Sequence, residues 1–165
     1  YIAWDDVAVW VAFRCEGRGR SNLKAEITQR DGPVWRDDSV EFYCDPGLTR
    51  RTYYQVVLNS AGVVYDAAGT DKGWNPDLRV ATLIEDDAWT GVLRIPLAAL
   101  GVKQIRDGDT WGVNFCRSDS APEGKLRLAA NNRSLSNIIG ELPTMLIVPP
   151  STTQNPIGIN RCDSG

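Results

Sequence analysis

Ser39-Val-Glu-Phe-Tyr-Cys-Asp-Pro-Gly47 is the stretch from which the rest of the chain can be read. Val40, Phe42 and Cys44 point one way and Glu41 and Tyr43 the other. A period of two belongs to a strand with one buried face, not to a helix. Asp45-Pro46-Gly47 ends it with turn chemistry. The same rhythm recurs outward from here. Residues 53–59 place Tyr54, Val56 and Leu58 on one face and Tyr53, Gln55, Val57 and Asn59 on the other. Ser60-Ala61-Gly62 then turns the chain into Val63-Val64-Tyr65. Residues 7–15 carry Val7, Val9, Val11, Phe13 and Cys15 on one face.

Beyond the first hairpin, residues 79–85 and 89–95 flank Asp86-Asp87-Ala88, a second hairpin signal. Pro96 opens a single helical turn, 97–100, which Gly101 stops. Residues 110–117 align Trp111, Val113 and Phe115, and residues 142–148 form a last strand before Pro149-Pro150. About eight strands with frequent turns describe an all-β sandwich or barrel. The sandwich is expected to span residues 1–148, with 149–165 as a tail. Long connections at 66–78, carrying Trp74, and at 118–137 are where binding groups are expected.

Composition narrows the function classes. A chain of 165 residues and 18.2 kDa is the size of one domain. A net charge of −3 and a pI near 5.0 argue against a phosphate-backbone partner, so no nucleic acid is expected. No apolar run reaches the ~18 residues of a membrane helix. The chain has no histidine, which removes Ser-His-Asp triads, most zinc sites and histidine-ligated haem, so no haem is expected. Glu41, Glu85, Glu123 and Glu141 show no spacing that singles out a glycosidase pair. Cys15, Cys44, Cys116 and Cys162 allow three pairings, and at least one disulfide is expected. With a chain that begins at Tyr1, this points to an extracytoplasmic protein, secreted or periplasmic.

Several blocks follow one another in a recognisable order. They are Trp35-Arg-Asp-Asp-Ser-Val-Glu-Phe42, Tyr54-Gln-Val-Val-Leu-Asn59, Gly62-Val-Val-Tyr-Asp66, Trp89-Thr-Gly-Val-Leu-Arg-Ile-Pro96, Gly108-Asp-Thr-Trp-Gly-Val-Asn-Phe-Cys-Arg117 and Gly140-Glu-Leu142. The series resembles the family 9 carbohydrate-binding modules and their relatives. The resemblance implies an antiparallel β-sandwich of jelly-roll type, non-catalytic and attached to secreted polysaccharide-degrading enzymes. It also implies structural calcium and a sugar-chain end held between two tryptophans. Trp35 matches one clamp tryptophan and Glu41 an acidic sugar contact. Where the second clamp tryptophan is expected, Asn131-Asn-Arg-Ser-Leu-Ser-Asn137 has no aromatic. The family's opening segment also precedes the point where this chain starts. A bare strand edge is therefore expected beside residues 7–15, covered by the tail or by another protein.

The candidate sugar-binding set is Trp35, Glu41, Gln55, Asn59, Trp74 and Asn132. Trp35 would stack on a sugar, Trp74 would supply the missing second face, and the others would bond hydroxyls. Asp66, Asp71 and Asp77, with Asn75 in the same loop, are the best calcium candidates, since calcium takes six to eight oxygens. Two readings follow. The first is an exported module that binds a polysaccharide or oligosaccharide. The second is a sandwich of the same ancestry reused as an interaction subunit of a larger extracytoplasmic or membrane-associated assembly. Its motives are the absent clamp tryptophan, the missing opening strand and the arginines at 14, 18, 20, 30, 50 and 51.

Overall fold

The computed structural model describes residues 1–106, 108–120, 127–128 and 144–146. The described strands are β1 (Ile2–Trp4), β2 (Ala8–Glu16), β3 (Ser39–Pro46), β4 (Tyr54–Asn59), β5 (Val64–Ala68), β6 (Arg79–Ile84), β7 (Ala88–Pro96), β8 (Thr110–Ser118), β9 (Arg127–Leu128) and β10 (Thr144–Leu146). They form two antiparallel sheets. One has the order β1-β2-β7-β6 and the other β10-β8-β3-β4-β5, with β9 also paired to β8. β2 pairs with β7 in one sheet while β3 pairs with β8 in the other. This nesting of sequence-distant pairs is that of a jelly roll.

The inward faces are the apolar faces of the alternation. Val9, Val11, Phe13 and Cys15 of β2, with Trp89, Leu93 and Ile95 of β7, meet Val40, Phe42, Cys44, Val56, Leu58, Trp111 and Val113 of the opposite sheet. Phe13 stands edge-on to Trp89, ring centroids 5.2 Å apart. Leu97–Leu100 is a single 3-10 turn. Gly101 closes it at φ +69°, a left-handed conformation that glycine reaches without cost. Pro96 is the residue that caps this turn rather than its first member.

Two expectations change. The edge of β2 is not bare, because Ile2–Trp4 pairs with it from Ile2↔Val11 to Trp4↔Val9. A three-residue strand is too short to announce itself by alternation. Cys15, Cys44 and Cys116 are buried free thiols, contrary to the expected disulfide. Alternation separates two of them: Cys44 faces the core, while Cys116 belongs to the opposite face of the same sheet. Cys162 and residues 149–165 lie outside the described residues.

Candidate functional site

The outward face of the six-stranded sheet is built from the residues that alternation turns away from the core. The register places Cys116, Glu41, Val57 and Tyr65 in one row across β8, β3, β4 and β5. The next row is Asn114, Tyr43, Gln55 and Ala67. Part of this face carries a second, smaller core. Val34, Val57, Tyr65 and Ala67 are buried together, with Ile27 and Val63 packed against them.

That small core sets the position of Trp35. Val34–Arg36 is a 3-10 turn whose Val34 is fully buried. Anchoring Val34 leaves the next side chain outside: Trp35 is 43% exposed and stands edge-on to Tyr65, centroids 5.2 Å apart at 84°. The two carboxylates after the turn hold the loop down. Asp37 accepts hydrogen bonds from the Glu26 and Ile27 amides at 3.1 and 2.9 Å. Asp38 accepts from the Lys24 amide at 2.6 Å and from the Ser120 amide and hydroxyl at 2.9 and 2.8 Å. Both are buried, so these bonds meet the desolvation cost of their charges.

Beside this platform lies a closed triangle of polar groups. The Tyr43 hydroxyl donates to Glu41 Oε2 at 2.7 Å. Gln55 Nε2 donates to Glu41 Oε2 and to the Tyr43 hydroxyl, each at 2.9 Å. Two donors on one carboxylate oxygen fix the Glu41 side chain. Among the described residues, Glu41 Oε1 and Gln55 Oε1 have no hydrogen-bond partner, and both side chains are half-buried rather than sealed. Burial, reinforced by the Glu41 charge, pushes the Tyr43 phenol well above its ordinary range. Burial, with Glu41 again adding, pushes the Cys116 thiol to about 12. Both groups stay protonated at neutral pH. Strand spacing sets Glu41 about 10 Å from Tyr65 across the sheet. The face therefore offers an exposed indole and fixed acceptors for hydroxyl donors within the span of a short ligand.

Of the expected set, the structure brings Trp35, Glu41 and Gln55 to this one face. Asn59 shares the face but is sealed beneath the loop. Its Nδ2 donates to Ile27 O and Asp37 Oδ2, and its Oδ1 accepts from the Ala61 and Val63 amides. All four of its hydrogen-bonding positions are thus filled internally. Asn59 is a latch and not a sugar contact. Trp74 lies on the other side of the sheet. It packs on Tyr54, centroids 4.9 Å apart, against the main core, and its Nε1 donates to Ala99 O at 3.1 Å. It cannot face Trp35 across a ligand. Asn132 lies outside the described residues. Tyr43 and Tyr65, which orient the site residues, were not in the expected set. Their signal was alternation on the same face, but only strand register shows which side chains they support.

The acidic loop is likewise rearranged. Asp66 belongs to β5 and its carboxylate is buried against Arg30 Nη2 at 2.5 Å. Asp71 is exposed and accepts from the Gly73 amide of its own turn, and Asp77 is exposed. The structure does not bring the three together, and no group of three candidate ligands converges among the described residues.

Comparison with known proteins follows the same outline. The family described as Carbohydrate-binding family 9 matches residues 1–102. Among solved structures, the fold is similar to a carbohydrate binding module family 9 from Caldicellulosiruptor kristjanssonii in complex with cellotriose. The TM-score is 0.66 at 17% identity, over 95% of this chain and 78% of that one. Its glucose complex gives a TM-score of 0.64 at 17% identity, over 94% and 78%. A protein of Bacteroides uniformis described as carbohydrate-binding gives 0.61 at 20% identity, over 77% of this chain, which spans 65% of that protein's length. No curated protein sequence matches the chain.

Proposed function

The chain belongs to carbohydrate-binding family 9, and on that premise we propose that it is a non-catalytic sugar-binding domain of an exported protein. Its ligand is a short run of β-glucan of the kind held by the structural relatives, whose complexes contain cellotriose and glucose. Trp35 receives the apolar C–H face of a pyranose, while Glu41 Oε1 and Gln55 Oε1 accept hydrogen bonds from its hydroxyls. Tyr43 and Tyr65 orient these groups without touching the ligand.

The observation that carries this reading is the exposure of Trp35 on a rigid base. A large aromatic ring held 43% exposed costs burial that the protein forgoes, and Tyr65 fixes its plane in advance. The test is isothermal titration calorimetry with cellotriose. Trp35→Ala is expected to weaken binding by about 2 kcal/mol or more, and Glu41→Gln by about 1.5–3 kcal/mol. Cellotriose affinity unchanged in Trp35→Ala would remove Trp35 from the site.

A further inference from the structure

The open face of the four-stranded sheet carries a second set of groups, on the opposite side of the sandwich from Trp35. The register aligns Ala3, Trp10, Arg94 and Arg79 in one row across β1, β2, β7 and β6. Trp10 is 38% exposed, and its Nε1 donates to Asp5 Oδ2 at 2.9 Å, which fixes the ring. The Arg94 guanidinium lies 5.8 Å from the Trp10 ring centroid. Ala3 on one side and Ala12, two residues along β2, are too small to screen the indole. The row beyond begins with the exposed Tyr1, whose backbone pairs with Ala12, and continues through Ala12, Val92 and Ala81, which are small and apolar.

Arg79 stands directly opposite Arg94, and neither is ion-paired to a described residue. Like charges directly opposite one another on a sheet oppose folding. Nearby, Arg14 is neutralised by Glu85 and Asp87, so this sheet does pair its cations where no other partner is needed. Asp5 is the acid that reaches this row. Its Oδ1 already accepts from the Val7 and Ala8 amides and its Oδ2 from Trp10. Asp5 also attracts Arg94, but two guanidiniums against this one carboxylate still leave a net positive site beside a rigid aromatic ring. Arginine favours carboxylates because its planar fork matches their geometry.

We propose that this row is a second binding surface, for a carboxylate-bearing polysaccharide of the polyuronate class. A uronate ring lies on the exposed part of Trp10 and its carboxylate is taken by Arg94 and Arg79. An acidic polypeptide offers the same charge, but it has no use for a flat, fixed indole flanked by alanines. The proposal does not depend on the Trp35 site.

Affinity electrophoresis of the full chain through gels containing polygalacturonate tests it, with polyglutamate gels in parallel. Retardation by polygalacturonate is expected, reduced about tenfold or more in affinity by Arg79→Gln and by Arg94→Gln. Trp10→Ala should weaken it comparably, and Trp35→Ala should leave it unchanged. Arg79 is exposed at the sheet edge, so Arg79→Gln remains informative even if Trp10→Ala perturbs folding. The proposal is overturned by absence of retardation, by equal retardation in polyglutamate, or by loss of retardation in Trp35→Ala with Arg79→Gln unaffected.

Discussion

At Asp66, burial and charge pull in opposite directions. Burial raises the carboxyl from its ordinary 3.8 to about 6, although Arg30 opposes it. Arg30 is partly exposed, so its attraction is weakened by solvent, and Asp66 Oδ1 is buried with no hydrogen-bond partner. Between those two values the folded protein binds a proton that the unfolded chain has released. The contribution of Asp66 to stability is thus fullest below pH 3.8 and is lost as pH rises through about 6. The change is on the order of 2–3 kcal/mol. Urea denaturation of Asp66→Asn against the parent across this window should show a flatter stability profile in the variant; parallel profiles would contradict the assignment. The thiols give a second residue-scale test. Burial raises Cys15 to about 11, Cys116 to about 12 and Cys44 further still. The folded protein should resist a thiol reagent at neutral pH, and unfolding without reductant should release at least three reactive thiols. Fewer than three would restore the disulfide.

Among the strands, β2 and β7 depend on one glycine. Gly91 lies opposite Phe13, and a Cβ there would sit 2.4 Å from Phe13 Cζ. The ring covers the glycine and meets Trp89 edge-on. Gly91→Ala must push Phe13 off Trp89 and should destabilise by about 1–3 kcal/mol. A denaturation midpoint unchanged from the parent would show that the ring is free to move aside. The loop after β2 works by a different principle, since its regular structure is limited to the 3-10 turn Val34–Arg36. Its first half rests on the β6–β7 turn through Gly17 N to Asp87 O and Arg20 N to Glu85 O. Its second half crosses to the other sheet, where Asp37, Asp38 and Asn59 fasten it under Trp35.

Across the whole molecule, the longer strands were legible in the sequence because an apolar face is written every second residue, while β1, three residues long, was not. Glu41 and Gln55 could be read for the same reason, since alternation puts them outward on neighbouring strands. What alternation does not carry is the path of loops and the pairing of distant strands. Asn59 looked available because nothing local says that the loop at 24–38 closes over it. Trp74 looked like a second platform because its loop could have folded over either face; the apolar contact with Tyr54 drew it to the core side. Asp66 looked like a calcium ligand until Arg30, 36 residues away in sequence, took its place beside the carboxylate. The two faces of the sandwich end up with separate chemistry: fixed acceptors and an indole on one, paired guanidiniums and an indole on the other.

The central claim is that the Trp35 face holds the sugar. Residue-resolved amide and indole NMR shifts during a cellotriose titration test it most directly. The account predicts saturable shifts at the Trp35 indole and at the Glu41 and Gln55 amides, with the Trp74 indole unmoved. Shifts centred on Trp74 or Trp10 instead, or none at saturating cellotriose, would contradict it.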